Sequence, residues 1–187
     1  GVVVFAHGSG SSRKSPRNNY VARVIRERGL GTLLFDLLTE TEDRQRQNRF
    51  DISLLTDRLT SVTEWVWEQE PGLAVGYFGS STGAAAALRG AARYGSDIDA
   101  VVSRGGRVDM AEDSLDAVTA PTLCIVGGAD SEVLDLNRAA YERLTCDRSL
   151  HVVADAGHLF SGKDELQEVA AVRSEEHTSE LQSRMFI

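Results

Sequence analysis

The chain has 187 residues, a formal net charge of −8, and 42% hydrophobic and 26% charged residues. This length fits one domain that buries a core of its own. The acidic balance disfavours nucleic acid and an anionic membrane surface as partners, because both require a basic surface. The two cysteines have no metal-ligand spacing and no run approaches the roughly 18 apolar residues of a membrane-spanning helix. We therefore expect no metal, no cofactor and a cytoplasmic location.

The first half of the chain alternates strands and helices. The apolar run at residues 2–6 predicts a strand, residues 18–28 follow a helical period, and residues 32–36 predict a second strand. The polar stretch 37–50 is interpreted as a loop and as the candidate lid. A helix capped by its first residue is predicted over 51–69. Its inward face is predicted to consist of Leu54, Leu55, Leu59, Val62 and Val66.

The second half repeats the alternation. A strand at 73–78 leads through a glycine-bounded turn at 79–83 into an alanine-rich helix at 84–93. Further strands are predicted at 98–103, 122–126 and 149–154. A short helix or turn at 109–118 and helices at 132–144 and 163–172 lie between and after them.

The strands are apolar along their whole length, which is typical of strands buried on both faces of a parallel sheet. The predicted fold class is α/β, a three-layer α/β/α sandwich with a mostly parallel sheet of about six strands. We assign residues 1–172 to this core and expect that strands, or another domain, precede residue 1. Residues 173–187 break the pattern and resemble translated adapter sequence. We predict an artefactual or disordered tail there, with a genuine solvated tail as the alternative.

The pentapeptide 79–83 has the pattern G-x-S-x-G and lies between a predicted strand and a predicted helix. A sharp turn in this setting presents the central serine above the sheet, close to the positive end of the following helix. Ser81 is therefore the predicted nucleophile. Ser80 is the competing residue, but it does not occupy the central position.

A serine nucleophile needs a base, and the base needs an acid that orients it. His158 follows a predicted strand, so it lies at the edge of the sheet where catalytic groups of α/β proteins collect. His151 lies within a strand, and His177 lies in the excluded tail. Asp130 follows the preceding strand and is the predicted acid. The rival acids are Asp155 and Glu132.

The glycine-rich segment 7–12 follows the first strand and suits an oxyanion hole, for which we assign the backbone N–H groups of Ser9 and Thr82. A phosphate-binding turn is the alternative, although no P-loop or dinucleotide-binding pattern is present. His7 is expected to brace this loop. Arg13 and Arg104 are candidate substrate-binding residues, with solvated surface charge as the alternative.

These motifs, HGSGSS, GSSTG, GGAD and AGH, resemble those of the α/β-hydrolase superfamily, in particular the dienelactone-hydrolase-like group. The resemblance covers residues 2–172 and implies a truncated α/β-hydrolase fold with the nucleophile at Ser81, the acid at Asp130 and the base at His158. It departs at the nucleophile, because true dienelactone hydrolases have cysteine there. The segments RGGR and SSRKSPRN are similar to members that are fused to phosphoribosyltransferase domains.

The predicted function is hydrolysis of a small carboxylic ester or related acyl compound through an acyl-enzyme on Ser81. The expected partner is a small-molecule acyl substrate, with no nucleic acid and no membrane. The alternatives are acyl transfer by the same three residues and a non-catalytic accessory or binding domain of a fused protein.

Overall fold

A computed structural model of the chain describes residues 1–172. The strands are β1 (Val2–Ala6), β2 (Gly31–Leu34), β3 (Val75–Ser80), β4 (Ala100–Arg104), β5 (Thr122–Gly127) and β6 (Arg148–Val153). The α-helices are α1 (Pro16–Glu27), α2 (Glu40–Asp43), α3 (Ile52–Gln69), α4 (Thr82–Tyr94), α5 (Ser131–Arg143) and α6 (Lys163–Ala171). Shorter 3₁₀ helices cover Arg46–Phe50, Gly95–Asp97 and Val108–Ala117. The predicted tail, residues 173–187, lies outside the described residues.

The six strands form one parallel sheet in the order β2-β1-β3-β4-β5-β6. Alternate residues of each strand point to opposite faces, as in β1, where Val4 and Ala6 face one core cluster and Val3 and Phe5 face the other. Helices α3 and α4 cover the first face, and α1 and α6 cover the second. The predicted three-layer α/β/α class is confirmed.

The prediction of a loop over residues 37–50 is wrong, because this segment contains α2 and a 3₁₀ helix. Polar contacts hold these short helices in place, so the sequence of the segment shows no apolar period that would have predicted them. Thr39 and Glu42 form a reciprocal capping box, in which the Glu42 N–H donates to the Thr39 hydroxyl at 3.3 Å and the Thr39 N–H donates to the Glu42 carboxylate at 2.8 Å. Arg49 then forms an ion pair with Asp43 at 2.8 Å.

The predicted cap of α3 is confirmed, since the Asp51 carboxylate accepts a hydrogen bond from the N–H of Leu54 at 3.0 Å. The inward face of α3 differs in part from the prediction, because Leu54 and Val62 are only half buried. Buried threonines share that face, and their hydroxyls donate to carbonyl groups of the same helix: Thr56, Thr60 and Thr63. Among residues 1–172, no helix has the length and apolar character needed to cross a membrane.

Candidate active site

The turn between β3 and α4 holds Ser81 in an unusual backbone conformation, with φ 51° and ψ −120°. Both flanking glycines are sterically required. A Cβ at Gly79 would lie 2.4 Å from the Cα of Ala84, and a Cβ at Gly83 would lie 2.1 Å from the carbonyl oxygen of Ala6. The helix therefore packs closely enough on the sheet to force a sharp turn at the serine.

Ser80, the competing nucleophile, points into the core. Its hydroxyl is buried and donates to the side-chain oxygen of Asn18 on α1 at 3.3 Å. This contact lies on the face of the sheet that α1 and α6 cover, away from the His158 imidazole, which contacts Ser81 instead.

Ser81, His158 and Asp130 meet at the carboxyl edge of the sheet. The Nε2 atom of His158 lies 3.3 Å from the Ser81 hydroxyl oxygen, and its Nδ1 atom lies 2.7 Å from a carboxylate oxygen of Asp130. Because an ionised carboxylate only accepts hydrogen bonds, Nδ1 carries the proton. The lone pair of Nε2 then faces the hydroxyl. This is the arrangement that a general base requires.

Asp130 and His158 differ in how far their side chains are exposed to solvent. The Asp130 side chain is 16% exposed, whereas the His158 side chain is 38% exposed. The imidazole therefore stays open to solvent while the carboxylate that orients it is mostly covered. The rival acids do not take its place, since Nδ1 contacts Asp130 rather than Asp155 or Glu132.

The other histidines lie elsewhere. His151 pairs with Glu168 of α6 at 2.7 Å. His7 braces the glycine-rich loop as predicted, because its Nε2 accepts the N–H of Leu37 at 3.0 Å and its Nδ1 lies 3.0 Å from the carbonyl oxygen of Gly8. His177 lies outside the described residues.

The glycine-rich loop lies directly against Ser81. A Cβ at Gly8 would be 3.0 Å from the Cβ of Ser81, so a side chain there would crowd the serine. The N–H of Thr82 has no acceptor within its own helix, because Thr82 is the first residue of α4. The N–H of Ser9 makes no backbone hydrogen bond in the part of the chain that the structure describes. Both groups are available to a developing oxyanion, and that role remains a prediction.

Residues 104–107, which we call the support segment, contact Ser81, His158 and helix α5. The Ser81 N–H donates to the Arg104 carbonyl at 3.2 Å, and the Arg107 N–H donates to the Ser81 carbonyl at 3.1 Å. Gly105, at φ +53°, lies under the histidine, since a Cβ there would be 3.4 Å from the His158 carbonyl oxygen. Asn137 of α5 donates to the Gly106 carbonyl at 2.9 Å. One backbone segment thus supports the hydroxyl, the imidazole and the helix that follows the carboxylate.

Sequence reasoning did not identify Asn137. It is a fully buried polar residue on a face of α5 whose other buried members are apolar: Val133, Leu134 and Ala140. A lone amide in an apolar helical stripe is the signal that would have indicated a buried polar contact.

The structure places the two arginines that were predicted to bind substrate, Arg13 and Arg104, in other contacts. Arg13 is exposed and forms an ion pair with the carboxylate of Asp36, which also accepts the Arg13 backbone N–H at 2.7 Å. The Arg104 guanidinium is buried between the rings of Phe78 and Phe160, 5.8 and 5.9 Å from their centroids. Burial, with a smaller effect of the nearby Arg17 charge, lowers the pKa of Arg104 to about 10. Its side chain therefore packs beneath the His158 loop rather than facing a substrate.

Taken together, the site consists of a hydroxyl, an imidazole and a carboxylate in one hydrogen-bonded row, beside two backbone N–H groups that make no backbone hydrogen bond. Within residues 1–172, no cluster of three or more His, Cys, Asp or Glu side chains is arranged to hold a metal ion.

The chain is similar to proteins of known sequence and structure, although no family model matches it. A dienelactone hydrolase from Anabaena variabilis is 50% identical, with a TM-score of 0.88 over 91% of this chain and 82% of that one. A Xanthomonas campestris protein, described as an α/β serine hydrolase without lid, is 25% identical, with a TM-score of 0.70 over 90% of this chain and 77% of that one.

Two curated Mycobacterium tuberculosis proteins, from strains CDC 1551 and H37Rv, are each 56% identical over 172 residues and carry the provisional name phosphoribosyl transferase. The alignment covers 91% of this chain but 39% of each relative, so the chain spans about two fifths of their length.

Proposed function

Because this chain belongs to the family of the Anabaena dienelactone hydrolase, which has the α/β-hydrolase fold, we propose that it hydrolyses small carboxylic esters or lactones through an acyl-enzyme on Ser81. The contact between His158 and Ser81, at 3.3 Å, carries the proposal. It joins two residues that are 77 positions apart in the sequence, and it gives the hydroxyl a base on the side of the imidazole that has a free lone pair.

In the proposed reaction, His158 takes the proton of the Ser81 hydroxyl as the oxygen attacks the substrate carbonyl. The negative charge that develops on the carbonyl oxygen accepts hydrogen bonds from the N–H groups of Ser9 and Thr82. His158, now positive and hydrogen-bonded to Asp130, gives its proton to the leaving oxygen. A water molecule, deprotonated by the same imidazole, then releases the acid and restores the serine.

The family and the serine hydroxyl support esters and lactones as the proposed substrate class. The two solved structures described above are named as hydrolases, whereas the curated relatives, of which this chain spans about two fifths, are named as transferases. A serine attacks activated and ordinary esters as well as lactones. Dienelactone is the substrate that the name of the Anabaena protein implies for that protein. For this chain it is one candidate among the small lactones, and a panel of substrates decides it.

The test measures turnover of p-nitrophenyl esters of increasing acyl length, together with a small lactone, by the wild type, Ser81→Ala and Ser80→Ala. We expect Ser81→Ala to lose at least about 10³-fold in kcat. The adjacent Ser80→Ala is the matched control. It removes a buried hydroxyl from the same turn and retains turnover. Equal turnover by the wild type and Ser81→Ala would remove the proposal.

Labelling with a fluorophosphonate probe separates the alternatives. Modification at Ser81 that is lost in His158→Gln is expected of the proposed enzyme, because the probe reacts with an activated serine. A non-catalytic accessory domain would remain unlabelled. Acyl transfer is distinguished by adding an alcohol acceptor and measuring whether the ester product forms faster than the free acid.

A further inference from the structure

The side-chain amide of Asn137 joins α5 to the support segment. The residue is fully buried, and its Nδ2 group donates to the carbonyl oxygens of Gly106 at 2.9 Å and of Val133 at 2.8 Å. An amide nitrogen has two hydrogens, so both are used. Turning the amide over would place its oxygen against the same two carbonyl oxygens. The contacts therefore fix the direction in which Asn137 donates.

Stability alone gives little reason for an amide at this position. The Oδ1 atom of Asn137 is buried and has no hydrogen-bond partner among residues 1–172. A buried acceptor without a partner costs free energy, and this cost offsets the gain from the bond to Gly106. The bond therefore calls for an explanation in what it holds in place.

The bond from Asn137 acts on the peptide group that joins Gly106 to Arg107. The carbonyl of this group accepts from Asn137, and its N–H donates to the Ser81 carbonyl at 3.1 Å. A peptide group is planar and every one in residues 1–172 is trans, so its carbonyl and its N–H point in opposite directions. Fixing the carbonyl of this group therefore fixes the N–H that reaches Ser81.

The Ser81 carbonyl belongs in turn to the peptide group that carries the Thr82 N–H, one of the two donors assigned to the oxyanion. This carbonyl also accepts the N–H of Ala84, at 3.1 Å, from the first turn of α4. The Arg107 N–H is thus the contact that holds the peptide group from outside the helix. A rotation of this group would turn the Thr82 N–H away from its present direction.

Resting on the proposed function, we propose that Asn137 is a positioning residue, which orients the Thr82 N–H towards the carbonyl oxygen of the substrate through the two linked peptide groups. An oxyanion donor stabilises the transition state only when it is aimed at the place where the charge develops. Loss of the Asn137 donor releases the Gly106 carbonyl, whereas the side chains of Ser81 and His158 keep their contact. We therefore expect weaker stabilisation of a negative oxygen without loss of the nucleophile.

The test uses trifluoroacetone as an inhibitor of p-nitrophenyl acetate hydrolysis. The Ser81 oxygen adds to the ketone carbon, the hydroxyl proton passes to His158, and the carbonyl π electrons become the negative charge on the former carbonyl oxygen. The inhibition constant therefore measures how well the site binds an oxyanion. Unlike kcat, it does not depend on the fraction of the protein that is folded.

Two variants remove the donor to Gly106, namely Asn137→Leu and Asn137→Ser. The serine hydroxyl is too short to reach Gly106 but still donates to the Val133 carbonyl four residues earlier, so this variant keeps the contact within α5 if the leucine variant fails to fold. We expect both variants to raise the inhibition constant and to lower kcat/KM by about tenfold, which is less than the loss of a whole oxyanion donor.

Thr63→Val is the matched control. It also removes a buried side-chain hydrogen bond, here 2.8 Å from the Tyr77 hydroxyl, but on α3 rather than beside the support segment. Its inhibition constant is expected to equal that of the wild type, although its free energy of unfolding falls.

Inhibition constants within about twofold of the wild type in both Asn137 variants would overturn the positioning role. An equal rise in Thr63→Val would overturn it too, because the loss of any buried polar contact would then explain the effect. Ser81→Ala, measured beside them, reports separately on the proposed function, since undiminished ester turnover there overturns that function instead.

Discussion

The backbone of Ser81 provides a prediction that separates stability from activity. Its φ of 51° with ψ of −120° is a conformation that glycine adopts readily and that costs other residues about 1–3 kcal/mol. Ser81→Gly and Ser81→Ala both remove the hydroxyl, so both lose its contact with His158. The two variants differ in one respect, which is that only glycine relieves the strain.

The magnitude follows from two opposing effects. Relief of the strain favours Ser81→Gly by about 2 kcal/mol. The greater freedom of glycine in the unfolded chain opposes it by about 0.8 kcal/mol relative to alanine. We therefore expect Ser81→Gly to be about 1 kcal/mol more stable than Ser81→Ala, which corresponds to a Tm about 2–4 °C higher for a domain of this size.

Urea unfolding and calorimetry of the two variants measure this difference directly. Ser103 provides the matched control, because it lies within β4 and does not have positive φ. At that position the order should reverse, with glycine about 1 kcal/mol less stable than alanine. If Ser81→Gly is no more stable than Ser81→Ala, the turn stores no strain and the reasoning fails.

Three further predictions test the packing at Gly83, the role of Asp130 and the pKa of Tyr94. Gly83→Ala forces a Cβ to within 2.1 Å of a backbone oxygen of β1, so we expect a loss of about 3 kcal/mol or more in urea unfolding; Gly157→Ala, with no atom within 4 Å, should change stability by less than about 0.5 kcal/mol. Asp130→Asn should lower kcat by about 10³–10⁴-fold in the ester assay, because an amide no longer fixes the proton on the histidine Nδ1; activity near that of the wild type would refute the assigned role. Burial, and to a smaller extent a hydrogen bond to Glu64, raises the pKa of Tyr94 to about 12. The neutral Tyr94 phenol therefore contributes fully to the free energy of unfolding below pH 10, and this contribution is lost as the pH rises towards 12. Tyrosinate absorbance should show this late titration in the wild type and not in Tyr94→Phe, and an identical titration curve in both would contradict it.

The sheet and the three central site residues are predictable from sequence for a simple physical reason. Continuous apolar runs specify buried parallel strands, and each chemical residue follows such a run closely. In the structure, Ser81, Asp130 and His158 all lie just beyond strand ends, where a parallel sheet brings loops together at one edge. The positions of the three residues after successive strands were therefore enough to predict that their side chains lie in contact. Their chemical roles are what the assays test.

The placement of Arg104 was not predictable in the same way. The predicted strand ended at residue 103, so the next residue was placed at the edge of the sheet, where a guanidinium reaches substrate. In the structure β4 continues through Arg104, and the alternation of the strand points its side chain to the same face as Val102. A difference of one residue at the strand end therefore moved a charged side chain from the expected cleft into the core.

The support segment has a mechanical consequence. Because residues 104–107 hydrogen-bond to the backbone N–H and carbonyl of Ser81 and also lie against His158, we expect a shift of this segment to displace the Ser81 hydroxyl and the His158 imidazole together. We therefore expect the distance between the His158 Nε2 atom and the Ser81 hydroxyl oxygen to change little when the sheet moves. Substitutions of other residues around the site are then expected to leave the distance between His158 and Ser81 unchanged.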